Sequence, residues 1–363
     1  MKLPAAFVLM MSTLAFDARA DDPISADREI DAGHRVVSVG AALVPGVVLH
    51  GSGHFALGRR TTAYRLLAIE GTGLGLLALG VIPIALSGAS RYLVRTSGII
   101  AAMGTGLLGT SLQADFWGVA MPLAARGHPP LSAPIVEADL GYRYVYDPQF
   151  RYAHFAVAAL DLRWHGLHLS PSIWTAADDI NVRSRFLAGY RFFGPRPGTQ
   201  PARDGSYLEL DAAITRHRYG TERFTTVTGE VFTGGRLDLQ RIDPWLRGSF
   251  SELALGIGLQ AFDYDVEKSQ DLGTDRESLL LAHLGFGFYI GGPDAPRAEI
   301  NNYYDHRHDD FVAGFNERAI GVPGHIGLST TIYFTDHIGM HAVFEAGSSL
   351  LAGASLLIRQ PAP

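Results

Sequence analysis

The 363-residue chain has no cysteine, which rules out thiol catalysis, disulfide staples and cysteine-ligated zinc. Charge is scarce at 18% of residues, and mean hydropathy is +0.11. That is little charge for a soluble protein, yet too much polarity for a helical transporter. A basic excess is also missing: 30 Lys and Arg stand against 36 Asp and Glu. A net charge of −6 argues against a nucleic-acid partner. There is no P-loop, no strand–GxGxxG–helix context, no H-E-x-x-H and no G-x-S-x-G serine. No cofactor is expected on these grounds, and an enzyme has no obvious nucleophile.

What the chain does have begins at its N-terminus. Lys2 precedes an apolar run from Ala5 to Phe16, and Ala18-Arg19-Ala20 fits an A-x-A cleavage site. Residues 1–20 read as a signal peptide for Sec-type export, with Asp21 opening the mature chain. Residues 21–43 form a short N-terminal segment.

Residues 44–125 are rich in glycine and apolar side chains. LLAIEGTGLGLLALGVIPIAL (66–86) and GIIAAMGTGLLGTSLQADFWGVA (98–120) are each about the 20 residues a helix needs to cross a bilayer. Gly71 and Gly75 form a GxxxG pair, so the two stretches read as a helical hairpin packed on glycine faces. Arg91 and Arg95 lie in the connection. Glu70 and Asp115 interrupt the apolar runs near their ends, where snorkelling or hydration accommodates an acid.

From 134 to 360 the texture changes to a period of two, the strand signal. In 136–146, Leu140, Tyr142, Tyr144 and Tyr146 oppose Glu137, Asp139, Gly141 and Arg143. In 252–262, Leu253, Leu255, Ile257, Leu259 and Ala261 share one face. In 279–290, Leu284, Phe286, Phe288 and Ile290 oppose His283, Gly285, Gly287 and Tyr289. Aromatics such as Tyr146, Trp164, Phe192 and Tyr333 end the apolar face. Apolar-out, polar-in strands with aromatic ends predict a transmembrane barrel. Twelve antiparallel strands are predicted at 136–146, 154–164, 167–176, 182–193, 206–217, 224–239, 247–264, 278–290, 296–305, 324–334, 337–346 and 350–359. The tight connections at His165-Gly166, 291–295 and Thr335-Asp336 follow even-numbered strands. The long ones at 265–277 and 306–323 follow odd-numbered strands, the alternation of outer-membrane barrels.

The final strand, LAGASLLI (351–358), carries Gly353, Leu356 and Ile358 at the spacing of a C-terminal barrel signal. On these residues the C-terminal two-thirds resembles a Gram-negative outer-membrane β-barrel, although IRQPAP follows where that family ends on an aromatic. The resemblance implies residence in the cell outer membrane, contact with the lipid bilayer and lipopolysaccharide, and insertion by the outer-membrane assembly machinery. Residues 40–120 resemble small two-helix membrane domains with a PGxGxF-x2-G pattern. That resemblance makes Pro45, Gly46, Gly53, Phe55 and Gly58 turn and packing residues.

Three places invite chemistry. HGSGH (50–54) sets two histidines four apart, but Gly51 and Gly53 argue against the helix that would pair them on a metal. DHRHDD (305–310) is the densest polar cluster. Asp305, His306, His308, Asp309 and Asp310 offer nitrogen and hard oxygen to a divalent cation, and Arg307 suits a phosphate. His306, His308 and Asp309 are also the catalytic candidates if the barrel hydrolyses lipid or lipopolysaccharide. The third place is the polar strand face: Glu137, Asp139, Arg143, Asp161, Arg163, Arg183, Arg185, Arg191, Glu209, Asp211, Glu345 and Arg359. In a barrel these line the lumen, where they either pair and close it or leave a small pore. The leading reading is an outer-membrane barrel with a structural, channel or surface role. The alternatives are the lipid hydrolase and an inner-membrane hairpin carrying a periplasmic β-domain.

Overall fold

The structure is a computed structural model. It describes residues 31–361 apart from 89, 131, 148–152, 200–201, 222, 265–274, 292–295 and 307–323. The signal-peptide segment and most of DHRHDD lie outside the described residues. The chain divides into two compact units, one of 1–129 with 236–253 and 284–295, the other of 130–235, 254–283 and 296–363.

Twelve strands pair antiparallel into a closed barrel: β1 (Val136–Tyr146), β2 (His154–Trp164), β3 (Leu167–Ala176), β4 (Asn181–Phe193), β5 (Tyr207–Tyr219), β6 (Phe224–Asp238), β7 (Ser249–Tyr264), β8 (Asp275–Ile290), β9 (Arg297–His306), β10 (His325–Tyr333), β11 (Ile338–Ala346) and β12 (Leu350–Gln360). Closure comes from β1 on β12, in register from Val136↔Gln360 to Tyr146↔Leu350. A closed sheet leaves no unpaired edge, the condition for a sheet to sit in hydrocarbon. Leu140, Tyr142, Tyr144, Trp164, Phe186, Tyr190, Ile257, Leu259, Phe344 and Leu356 face outward and exposed. Alternate positions face in, as a period of two requires.

Connection length separates the ends only in part, as the Pro-rich 194–205 segment and the short 347–349 connection of the sequence already indicate. The connection between β4 and β5 spans 194–206 and that between β6 and β7 spans 239–248, both after even-numbered strands. The latter is stiffened by two short 3₁₀ turns, capped by Asp238 and Asp243. Tyr333 is also misplaced by the sequence reading. It shares its face with His325, and the Arg359 guanidinium lies 4.1 Å from its ring centre, so it faces the interior. The one-residue phase of the β10 pattern decides this.

The other unit begins with α1 (Ala32–Leu43), whose N-cap Asp31 accepts from the Gly33 amide at 2.7 Å. A five-residue α2 (Ser52–Ala56) follows, then α3 (Arg60–Leu86) and α4 (Arg91–Ala120). Among the described residues, α3 is the one helix long and apolar enough to cross a membrane. The α3–α4 hairpin is present, but on other glycines than the GxxxG pair suggests. A Cβ on Gly80 would sit 2.5 Å from the Ser97 carbonyl oxygen and the Ala101 amide nitrogen. One on Gly104 would sit 2.5 Å from the Leu77 amide nitrogen. Gly71 and Gly75 look onto open space. Within this unit α4 also packs on the outward side of the strands: Trp117 lies 3.9 Å from Phe288 between ring centres, and Thr110 and Ser251 share a 2.6 Å hydrogen bond. Leu284, Phe286 and Phe288 are therefore buried, unlike outward residues elsewhere.

Candidate functional site

The inward strand positions of the second unit carry the chemistry. Arg359 Nε meets Glu137 at 2.8 Å, and Arg191 meets Glu209 at 2.8 Å. Arg185 meets Glu230 at 2.9 Å, and His168 meets Asp211 at 3.0 Å. Arg163 bonds to Asp161. Asp139 lies 3.9 Å from Arg143 and 3.8 Å from His341. Arg143 also donates to the Ser355 hydroxyl at 3.1 Å. The acids and bases sit on the same, adjacent or next-adjacent strands, so each charge is compensated close to where its backbone puts it. Pairing matters because a buried charge without a partner is costly.

One of these pairs crosses an intervening strand over a glycine, and two further side chains use glycine in the same way. His168 on β3 and Asp211 on β5 meet over Gly189 of β4, where a Cβ would overlap both side chains. Tyr303 on β9 reaches Glu345 on β11 at 2.5 Å over Gly327 of β10. Arg143 lies across Gly353 of β12. Gly189→Val is expected to split the His168–Asp211 pair and destabilise the barrel by about 1–3 kcal/mol, the usual scale of overpacking. The check is the temperature at which the folded band is lost in unboiled gels, and an unchanged temperature would count against the crossing.

Polar pairs continue to the end at which β1 and β5 finish, where Tyr303 meets Glu345, His283 meets Asp305 and His217 pairs with Asn181 at 2.7 Å, but the side built by β1, β2, β3, β5 and β12 is apolar. There Val145, Phe155, Ala176, Tyr219 and Leu351 form a buried apolar cluster, with Trp174, Phe224 and Val343 packed against it. Phe155 has no exposed surface. Tyr219 and Phe224 stack at 4.2 Å. Arg143 and Arg183 lie 5.8 and 5.5 Å from the Trp174 ring, and Arg143 is in register with Phe155 of the cluster. Away from it, the side chains of Glu137, Asp139, Asp161 and His341 keep 20–26% of their surface. The cluster is thus a dry apolar patch on the inner wall, while the charges nearer the start of β1 keep contact with solvent.

Of the DHRHDD candidates, Asp305 and His306 are described, while Arg307, His308, Asp309 and Asp310 lie outside the described residues. Asp305 is an inward strand residue rather than a loop ligand, bonded to His283 at 2.9 Å. His306 sits on the opposite face, 3.2 Å from the Tyr304 hydroxyl. Neighbours in a strand point apart, so these two do not converge on one ion. Among the described residues no group of three or more His, Asp or Glu is arranged for a metal. The interior histidines 168, 283, 325 and 341 and the partners Glu230 and Tyr303 are missing from the sequence-derived set. Their signal was available, since each occupies an inward position of the same alternation.

HGSGH is answered in the first unit, and the expectation of a purely non-helical turn there is corrected. Gly51 has φ +95°, and a Cβ on it would sit 2.5 Å from the Ala63 carbonyl oxygen. That left-handed residue caps α2, so a single turn of helix does form. Both histidines are buried and neither faces the other's partner. The amides of Gly53 and His54 each donate to Asp115 at 3.1 Å, and His54 Nδ1 donates to it at 2.8 Å. The His50 amide donates to Glu70 at 3.0 Å, and its ring pairs with the Ser111 hydroxyl at 2.6 Å. Glu70 and Asp115 are thus buried clamps, not snorkelling or hydrated acids. Proximity to a span end says nothing of a loop folding back over it. Burial pushes the His54 imidazole below its usual range, against the pull of the Asp115 carboxylate. Arg126 closes the same region by donating to the carbonyls of Gly118, Met121, Trp245 and Arg247.

Neither a family model nor a curated relative matches the sequence. Solved structures do match. A KdgM porin in complex with disordered oligogalacturonate is 8% identical over 61% of this chain and 98% of its own, at a TM-score of 0.34. The NanC porin is 9% identical over 61% and 99%, at 0.37. The translocator domain of the autotransporter NalP from Neisseria meningitidis is 12% identical over 62% and 87%, at 0.35. Scores of this size leave the barrel assignment to rest on the strand pairing itself.

Proposed function

We propose that the chain is a Gram-negative outer-membrane β-barrel whose lumen is a channel held shut, at rest, by the apolar cluster at the far end. The observation that carries this reading is the opposition of the two sheet faces: exposed leucines and aromatics outside, compensated charge inside. In water the outer face would be an unusually large apolar patch. In a bilayer it is the expected belt. What favours a channel over a mere filler is that solvent-accessible charge lies beside a dry apolar cluster on the inner wall, the ingredients of a hydrophobic gate. Export through the segment at 1–20, insertion by the outer-membrane assembly machinery and contact with lipopolysaccharide belong to the same reading.

Membrane fractionation tests the location. Expressed in a Gram-negative host, the protein is expected to co-sediment with lipopolysaccharide on a sucrose gradient. It should also run faster unboiled than boiled after detergent extraction. Recovery with inner-membrane markers would overturn the reading.

A further inference from the structure

We propose that Ala32–Tyr64 is an interfacial anchor, lying against the anionic headgroup layer of the leaflet at which α3 begins. The inference rests on the membrane reading above and adds where the chain meets the lipid. Val36, Val37, Leu43, Val44, Val47, Val48 and Leu49 are all exposed, from 53% at Leu43 to 77% at Val44. A water-facing surface rarely gathers so many large apolar side chains in one segment.

Three observations name lipid as the occupant. The apolar surface runs on into the exposed stripe of α3, at Leu67, Leu74, Leu79, Ile82 and Leu86, on a helix about 40 Å long at 1.5 Å per residue. At the junction, exposed Phe55 and Tyr64 pack edge to face at 6.5 Å, and the Arg60 guanidinium lies 5.9 Å over Phe55. Aromatic rings beside a cation are what the headgroup level selects. Finally, residues 32–64 contain no Asp or Glu but three arginines. Arg35 and Arg59 are turned onto backbone carbonyls of Val119 and Gly118, and exposed Arg60 is left for phosphate.

The cysteine-free sequence makes the test direct, because any single cysteine introduces a unique thiol. Val37→Cys, Val44→Cys and Val48→Cys, each in the full chain, are spin-labelled and reconstituted in phosphatidylethanolamine–phosphatidylglycerol vesicles. Collisions with oxygen are compared with those of a water-soluble nickel chelate. Leu74→Cys reports the hydrocarbon, and Ala177→Cys reports water. The three labels are expected between these limits, oxygen-dominated but shallower than Leu74. Exchanging phosphatidylglycerol for phosphatidylcholine is expected to lower the oxygen-to-nickel ratio at Val44 about twofold. Nickel collisions equal to those at Ala177 would overturn the anchor. So would spin–spin broadening that disappears on dilution with unlabelled protein, which would put a second copy on this surface. An unchanged ratio on lipid exchange would overturn the anionic preference. A water-exposed Leu74 would instead overturn the membrane reading itself.

Discussion

Asp115→Ala is expected to release the HGSGH loop and open the buried Arg59 site to trypsin, with the barrel left intact. The substitution removes the acceptor for three donors at once: the Gly53 and His54 amides and His54 Nδ1. All three lie where water does not reach, so none regains a hydrogen bond in the native arrangement. Stranding one buried donor costs about 1–3 kcal/mol. Breaking a buried charged network costs about 3–5 kcal/mol, taking shared relaxation into account. A local opening free energy reduced by about 4 kcal/mol raises the open population, and cleavage that tracks it, about a thousandfold. Asp115→Asn keeps one oxygen, enough for the His54 amide and ring, but turns its NH2 toward the Gly53 amide, and is expected to lose less than Asp115→Ala. Wild-type cleavage rates in both variants would show that Asp115 clamps nothing.

The same loop has a pH dependence with a definite sign. The His54 imidazole is held below its usual range, chiefly by burial. The released loop regains an ordinary imidazole near 6.5. Above that value neither state takes a proton, and the clamp has its full strength. Below it the opened loop takes a proton that the closed one refuses, so opening becomes easier as pH falls toward the depressed value. Trypsin-accessible Arg59 is therefore expected to increase on acidification from pH 7.5 to 5.5 in the wild type. His54→Gln should flatten that profile.

Strands and clamps differ in how far the sequence discloses them, and the reason is range. The boundaries of β1, β2 and β3 coincide with the sequence reading because the alternation is local. Glu137, Asp139 and Arg143 against Leu140, Tyr142 and Tyr144 fix both the period and its phase. At Tyr333 the phase is carried by serines, threonines and a glycine, which suit either face, so the assignment slipped. The hairpin was legible as two apolar stretches, but its contact face was not. Glycines 71, 73, 75 and 80 all lie on α3, and only the approach of Gly104 and Leu108 to Gly73, and of Ser97 and Ala101 to Gly80, distinguishes the packed from the open ones. Glu70 and Asp115 were the hardest to read. Their partners are backbone amides 20 and 61 or 62 residues away, and no residue type announces an amide that needs an acceptor. The glycine notches at 189, 327 and 353 stand between these extremes. Their in-facing positions follow from the period, but the pairs that cross them depend on three strands at once.

Removing the apolar constriction is expected to open the lumen. Phe155→Ala with Trp174→Ala withdraws two aromatic side chains from the cluster that β1, β2, β3, β5 and β12 build at the far end. An apolar neck of this kind excludes water through lack of partners as much as through width, so widening it should wet it abruptly. Planar-bilayer recordings of the wild type are then expected to be silent or nearly so, and the double variant to gain at least about tenfold in unit conductance. Ion pairs below the neck should set what passes once it is wet. Arg143 and Arg183 lie beside Trp174, so the opened pore is expected to favour anions, and adding Arg183→Gln should reduce that preference. Tyr144→Ala, on the outward face of the same strand region, serves as the control that leaves conductance unchanged. The decisive adverse result is a double variant that still migrates as a folded barrel and conducts nothing. The interior would then be filled by its paired charges all the way along, and the barrel would be a membrane scaffold for its surface. The same recordings bear on the charges themselves: Glu137→Gln, far from the neck, should alter selectivity only in the opened background, because current reaches Glu137 only when the neck conducts.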